Sequence, residues 1–520
     1  MNKSYILVKG DVSGIQNFVF NVKSEHAAKE LKGRSFFVKL LIELAIYALH
    51  DKFNISTAEE ILESRISTSG GNFFLKLPMN SECETKIAEV QNELTRGLNF
   101  TGLNISIAHA AYTGDYENVI KNLDKLCRET KLRFYHEDFT YFDSFPKKNT
   151  NFDTKWKSLT ETLKKTNAFI ITKTPKHNTS LQIKENQVLI SNYEVAFNNQ
   201  GNGLLLSDFL ESLFPIYNSH IIEFECLSKS TAFHKFKGSG APCQPNIDWT
   251  IMENGGNKGI EKLGILAMDV DGLGICMESI KNETDHRETD KRLRDFFNYK
   301  IQEIINDEKE TYRYNKNHYG QYITADIPRF KNKIYSVTAG GDDSFFVGKW
   351  NTILDFAIEI NKAFNKEFPD LTISAGMVIV DPKFPVVRFA DLVGSALKNA
   401  KYQYKTKGNI CLLGEVIQWE ILTEVNKMRI EFKKKDITGG MLAKARLAAN
   451  SLKDATVFRL EDFWKMGYYL RELDTNAKDR IMRKLLEYMT KSIKTTDELQ
   501  KRNYRSILPI AARLAELDKR

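Results

Sequence analysis

The chain has 520 residues, 42% of them hydrophobic and 27% charged, which provides for several packed cores and roughly three or four domains. Its six cysteines stand singly at 83, 127, 226, 243, 276 and 411, against a disulfide framework or an ordinary zinc ribbon. No signal peptide is evident, and the apolar run 36–49, interrupted by Lys39 and Glu43, is too short to span a bilayer, so a cytoplasmic protein without membrane contact is expected. Residues 421–520 hold 23 of the 75 Lys and Arg but 14 of the 67 Asp and Glu, so the whole positive excess lies in the tail and suggests a polyanionic partner such as nucleic acid.

In chain order, an apolar strand at 5–8 runs into Gly10-Asp11-Val12-Ser13-Gly14, and a helix-period stretch follows at 35–49. Ser35 has the chemistry of an N-cap for that stretch, whose Phe36, Leu40, Leu44 and Ala48 share one face. Arg34 before it has no assigned role. Alternating apolar residues around Gly70-Gly71-Asn72 predict a tight hairpin. A helix at 84–94, a strand at 103–108 and a helix at 116–127 complete the set. The polar stretch 130–260, with short β-type runs such as 187–190, reads as an inserted α+β domain.

The same order then recurs. A strand at 263–267 leads to Asp269-Val270-Asp271-Gly272-Leu273-Gly274, with helical periodicity at 289–306. A second hairpin pattern surrounds Gly340-Gly341-Asp342-Asp343. A helix at 352–364, a strand at 371–375 and a helix at 387–404 follow. The order β-α-β-β-α-β is the ferredoxin-like arrangement, here present twice. Beyond Gly408, helix periodicity at 441–452, 460–473 and 480–492 predicts a bundle. The expected fold is α+β: a first ferredoxin-like domain at 1–130, an inserted α+β domain at 131–260, a second ferredoxin-like domain at 261–415 and a basic helical domain at 416–520. The acidic and aromatic stretch 312–330 is either a lid or a surface loop.

Nucleotidyl transfer needs little covalent help from a protein. It needs divalent metal to bind phosphate oxygens and favour in-line attack by a hydroxyl, and magnesium takes one or two carboxylates plus the triphosphate. Asp269 at a strand end and Asp342 and Asp343 on a neighbouring hairpin face one point, with the Val270 carbonyl as a further oxygen. Gly340 and Gly341 permit positive φ and leave room for a base or sugar. The Asp271-Gly272-Leu273-Gly274 loop offers backbone N–H groups to phosphate, and Lys401, Lys405 and Lys407 supply positive charge to the β- and γ-phosphates. Each signal is weak alone, since Asp-rich turns and exposed lysines are common; their joint placement on adjacent strands is what points to a palm-type site. In the first copy Asn72 takes the position of Asp342, and no acidic residue stands in the turn. That copy is expected to bind a nucleotide through Ser13, Gly14, Gly70 and Gly71 without performing metal-dependent chemistry.

Gly10-Asp-Val-Ser-Gly-Ile-Gln-Asn-Phe, Leu31-Lys-Gly-Arg-Ser-Phe-Phe and Gly340-Gly-Asp-Asp together resemble the large polymerase/cyclase subunit of type III CRISPR effector complexes, in particular the Csm branch. The stretch from Asp391 to Asn409 also resembles the end of GGDEF cyclase domains. The resemblance implies an RNA-activated subunit that converts ATP into cyclic oligoadenylates by 3′–5′ linkage. It implies Mg2+ (or Mn2+) held by Asp269, Asp342 and Asp343, and a base site lined by Gly340 and Gly341. The Ser13–Gly14 loop would border a second nucleotide. The implied partners are the other complex subunits, guide RNA and target RNA. Because the first strand begins by residue 5, the N-terminal His-Asp nuclease domain common in the family is expected to be absent, and with it intrinsic DNase activity. A zinc site from His220, Cys226, His234 and Cys243 lacks a close ligand pair and is not expected. Two other functions fit the same residues: a palm synthase joining AMP to another acceptor or forming a different cyclic nucleotide, and a scaffold subunit that only holds guide RNA.

Overall fold

Apolar side chains at Ile6, Val8 and Val12 enter one core and Leu7 enters another, which makes β1 (Tyr5–Ser13) a central strand buried on both faces. It leads through α1 (Ile15–Phe20), α2 (Ala27–Lys52) and α3 (Ala58–Ser64) to the hairpin β2 (Arg65–Ser69) and β3 (Asn72–Pro78). Then come α4 (Cys83–Gly97), β4 (Asn104–Ala111) and α5 (Tyr116–Leu132). The strands pair antiparallel in the order β2-β3-β1-β4, with α2 and α4 covering one face and α5 the other. The computed structural model describes residues 4–22, 27–69, 71–98, 101–112, 114–132, 168–184, 187–198, 220–223, 262–307, 309–316, 322–331, 333–340, 343–433, 437–453 and 475–519, with scattered positions at 156–162 and 461–471.

Between the two halves, β5 (Ala168–Lys184), β6 (Gln187–Asn198) and β7 (His220–Glu223) form a sheet in the order β6-β5-β7. It is fused to the first half rather than hung from it. The Tyr193 hydroxyl donates to Glu93 of α4 at 2.9 Å, and a Cβ on Gly97 would lie 2.3 Å from Ile190.

The second half starts with β8 (Leu263–Asp271), α6 (Leu273–Glu278), α7 (Glu283–Asp295), a π-helical turn (Phe296–Lys300) and α8 (Ile301–Asp307). The stretch at 312–330 falls on a hairpin, β9 (Lys309–Lys316) and β10 (Tyr322–Pro328), followed by the fully buried Phe330 against Phe356. Then come β11 (Ile334–Gly340), β12 (Asp343–Lys349), α9 (Trp350–Glu367), β13 (Thr372–Val380) and α10 (Phe389–Tyr402), with β14 (Asn409–Leu412) and β15 (Glu415–Gln418) at the edge. The sheet order is β11-β12-β8-β13-β14-β15. Its first four strands thus repeat the order of the first half.

Corresponding elements of the two halves touch reciprocally. α1 packs on α10 and α6 packs on α5; α2 meets β11 and α7 meets β2. Such exchange is the signature of a pseudo-two-fold, and the interface it creates is well filled. The Phe20 and Phe345 rings lie 4.4 Å apart, and fully buried His286 shares a 2.8 Å hydrogen bond with the Tyr116 hydroxyl. Burial, outweighing the nearby Asp124 and Glu283 carboxylates, pushes that imidazole down to about 4.

The structure corrects the expected N-cap at Ser35. The helix begins at Ala27, and Ser35 lies buried in its interior. Burial of Leu31 and of the face around it extends the helix upstream, so tertiary packing outweighs the local capping preference of serine.

The helical domain comprises α11 (Trp419–Phe432), α12 (Gly439–Lys453), α13 (Thr475–Lys494) and α14 (Glu498–Lys519) among the described residues. Buried Arg429 pairs with buried Asp518 at 2.6 Å and lies over Trp350, pinning the last helix to the second half. Breaking one side of such a pair costs about 3–5 kcal/mol. Arg446, Lys491, Lys501, Arg502 and Arg513 also sit in ion pairs, so part of the tail's basic charge is used within the fold. Cys83, Cys127, Cys276 and Cys411 are free thiols; Cys226, His234, Cys243 and the His220 side chain lie outside the described residues.

Candidate active site

β12 runs antiparallel to β8, with Asp343 directly opposite Asp269 and across the hairpin from Gly340. Side chains so paired have Cβ atoms about 4.5–5.5 Å apart. By strand alternation both point to the side of Ala267 and Phe345, the side that packs toward the first half and α10. Two carboxylates this close repel unless a cation joins them. Lys401, in the last turn of α10, forms an ion pair with Asp269, both side chains being partly exposed. Among the described residues no group of three or more His, Cys, Asp or Glu side chains converges; Gly341 and Asp342 lie outside them.

Asp271 points the same way from β8 but has a different task. It is buried and accepts hydrogen bonds from Thr372 Oγ1 (2.9 Å), Ser374 Oγ (2.8 Å) and the Gly408 N–H (2.9 Å). Those bonds tie β8, β13 and the loop after α10 together, which fixes the approach of that loop. The sequence signal for this anchor is the alternation of Thr372 and Ser374 on the strand beside Asp271.

Gly272 follows with φ +70°, a left-handed conformation that glycine adopts without strain, and opens α6. A Cβ there would lie 3.7 Å from Lys407 Nζ, so Lys407 reaches the loop, while Lys401 meets Asp269 on the strand before it. Lys405, between them in sequence, is exposed with no ion pair among the described residues. Gly274 has open space around it and Leu273 packs against the core. The Val270 side chain is buried on the opposite face of the sheet.

The first half carries the same frame. Asp11 pairs in register with Asn72 on β3 and Ser106 on β4, as Asp269 pairs with Asp343 and Ser374. Lys131 of α5 forms a 2.6 Å ion pair with Asp11, as Lys401 of α10 does with Asp269. Ser13 ends β1, and Gly14, at φ +82°, opens α1 as Gly272 opens α6. Gly71 has φ +91° and accepts from the Val12 N–H at 2.9 Å; Gly70 lies outside the described residues. The register corrects one alignment: Asn72 stands where Asp343 stands, not where Asp342 does. Matching the glycine pairs shifts the comparison by one residue, whereas the ladder makes Gly341 and Asp342 the counterparts of Gly70 and Gly71. The Asp11–Lys131 pair is thus a retained half of the site that the turn sequence alone does not reveal.

Comparison with known proteins accords with this frame. The family profile described as Cas10/Cmr2, second palm domain, matches residues 262–411, and that described as Csm1 subunit domain B matches 4–155. Proteins named CRISPR system single-strand-specific deoxyribonuclease Cas10/Csm1 (subtype III-A) are similar along most of the chain. The one from Methanocaldococcus jannaschii is 27% identical over 467 residues, covering 76% of this chain and 56% of its own length. That from Enterococcus italicus is 23% identical over 465 residues, covering 81% and 55%. The chain is a homologue of Cas10/Csm1 proteins of subtype III-A. It spans a little over half the length of these curated relatives. Among solved structures, a Csm1-Csm4 cassette in complex with pppApApA superposes with a TM-score of 0.68 at 16% identity, over 100% of this chain and 70% of that one. A Csm1-Csm4 cassette in complex with cA4 gives 0.63 at 18%, over 98% and 70%. At these identities the likeness is one of fold. No helix among the described residues is long and apolar enough to cross a membrane.

Proposed function

We propose that this chain converts ATP into cyclic oligoadenylates, as the nucleotidyl-transfer subunit of a cytoplasmic type III-A CRISPR complex activated by target RNA bound to guide RNA. The observation that carries this is the direct opposition of Asp269 and Asp343 on neighbouring strands, with an ammonium group already on Asp269. Complexes of similar Csm1-Csm4 structures with ATP, AMPPNP, cA3 and cA4 support it.

A hard-oxygen pair that already attracts a cation suits Mg2+ or Mn2+, and Asp342 beside it completes the proposed ligand set. Bound there, the metal supplies polarisation of the phosphate oxygens. The chain does the rest. Lys401 and Lys407 neutralise the triphosphate, with Lys405 at the rim, and the backbone N–H groups of Gly272, Leu273 and Gly274 orient it. Val270 contributes its carbonyl. Gly340 and Gly341 leave room for the base; Ser13, Gly14, Gly70 and Gly71 border the acceptor nucleotide in the first palm. The architecture so proposed is two ferredoxin-like palms at 1–130 and 261–415, an inserted domain at 131–260 and a basic helical domain at 416–520 that meets neighbouring subunits and RNA. We assign no deoxyribonuclease chemistry to these residues.

The test is mass spectrometry of the products formed from ATP and Mg2+ by the assembled complex with target RNA. Cyclic oligoadenylates that vanish in the Asp342→Ala, Asp343→Ala double variant are expected. Adenylated small acceptors instead, or products unchanged in the double variant, would overturn the proposal.

A further inference from the structure

The Gly33-Arg34-Ser35 run lies outside the acid site, yet both of its polar side chains are buried and reach toward it. Ser35 Oγ donates to the Val337 carbonyl at 2.9 Å, a contact between residues 302 apart in sequence. Val337 is the residue that the β11–β12 ladder skips: Ser336 pairs with Phe346 and Thr338 with Phe345, which leaves Val337 as a bulge three residues before Gly340. A bulge uncouples a carbonyl from regular strand pairing, and Val337 is buried beyond the reach of water. The hydroxyl that meets this carbonyl comes from the opposite palm.

Arg34 is linked to the other strand of the same hairpin through α1. Its Nη1 donates to the Phe18 carbonyl at 2.9 Å, and its guanidinium lies over the Phe18 and Trp156 rings. That fixes α1, whose Phe20 ring packs at a tilt against Phe345, two residues beyond Asp343. Of these adjacent residues, Ser35 thus meets one strand of the hairpin directly and Arg34 reaches the other by way of α1.

The reciprocal contact exists as well. In the first palm the β2–β3 ladder skips Ile66, the counterpart of Val337, and Arg287 of α7 donates to the carbonyls of Arg65 and Glu63 beside that bulge. Each palm holds the bulge of its partner's hairpin with the helix that crosses the interface. Bulges re-aim the strand beyond them, so whatever fixes the bulge fixes the course of the strand that follows it.

We propose that Arg34 and Ser35 are positioning residues which, from the first palm, set the Gly340–Asp343 hairpin of the second, holding Asp343 in register with Asp269. The functional part of this rests on the nucleotidyl-transfer proposal; the structural part does not. The experiment compares the chain with Ser35→Ala and Ser35→Thr, each in the assembled complex with target RNA, by hydrogen–deuterium exchange alongside ATP turnover. Ser35→Ala is expected to raise exchange at 334–349 by about tenfold, the scale of one buried hydrogen bond, while exchange in β2–β3 stays at the wild-type rate. The rate of ATP turnover falls by a similar factor with KM held within about twofold, as for an interaction that aligns reacting groups. Ser35→Thr, which keeps the hydroxyl, restores both. Unchanged exchange at 334–349 in Ser35→Ala, an even rise through both palms, or failure of Ser35→Thr to restore protection would overturn the positioning role. A selective rise in exchange when the wild type turns over no ATP would uphold the clamp and count against the nucleotidyl-transfer proposal alone.

Discussion

The two halves set the same strands with different side chains at the hairpin. In the second, β8 presents Asp269 opposite Asp343, and Lys401 reaches in from the flanking helix. In the first, β1 presents Asp11 opposite Asn72, and Lys131 reaches in from the equivalent helix. The first brings one carboxylate to one ammonium; the second adds a further carboxylate. The whole contrast between a proposed metal centre and a binding surface comes down to a carboxylate against an amide at the first residue of the returning strand, since a neutral amide oxygen holds magnesium less strongly than a carboxylate.

This contrast can be tested by removing the acids, releasing the cation or restoring the missing oxygen. Asp269→Ala should lower ATP conversion by about three orders of magnitude, several kcal/mol of metal-dependent stabilisation, with little change in melting temperature because the site is partly exposed. Product yield and a thermal melt on the same sample check both halves of that expectation. Lys401→Met should raise the KM for ATP by about tenfold, the scale of one hydrogen bond to a charged group. In the absence of nucleotide it should bind Mn2+ more tightly than the wild type, because the ammonium no longer competes for Asp269. Paramagnetic resonance of free Mn2+ measures this, and weaker metal binding would contradict the competition.

Asn72→Asp rebuilds the acid pair in the first palm. It should add one Mn2+ site per chain in the same titration without raising product formation; the absence of that site would show that the register equivalence carries no chemistry. The smallest effect is at the joint between the palms. His286 is held neutral in the fold at about 4 against an ordinary value of 6.5. Between those values the unfolded chain binds the extra proton, so stability falls as pH drops through that window and is level above it. Denaturation at about pH 7 and about pH 5 should show that slope, flattened in His286→Gln.

Much of this frame can be read from the sequence because turn and strand chemistry are local. Glycine pairs between alternating apolar residues mark both hairpins, and the recurrence of six elements gives the strand order that brings Asp269 beside Asp343. Other features depend on contacts far apart in sequence. Ser35 has the residue type of a cap, but burial of Leu31 carries the helix past it, and its partner lies in the other palm. The one-residue offset of Asn72 follows from the ladder register, which glycine matching cannot supply. Asp271 reads as part of a phosphate loop, and only the packing of β13 turns it into an anchor.

The most direct test of the account is to give the second palm the first palm's residue. Asp343→Asn is nearly isosteric, keeps the hairpin register and changes one ligand atom. Measured in the assembled complex with ATP, Mg2+ and target RNA, with products resolved by mass spectrometry, it should reduce cyclic oligoadenylate by about a hundredfold or more at unchanged thermal stability. Product formation at the wild-type level in a folded Asp343→Asn complex would contradict the claim that the acid pair separates the two palms.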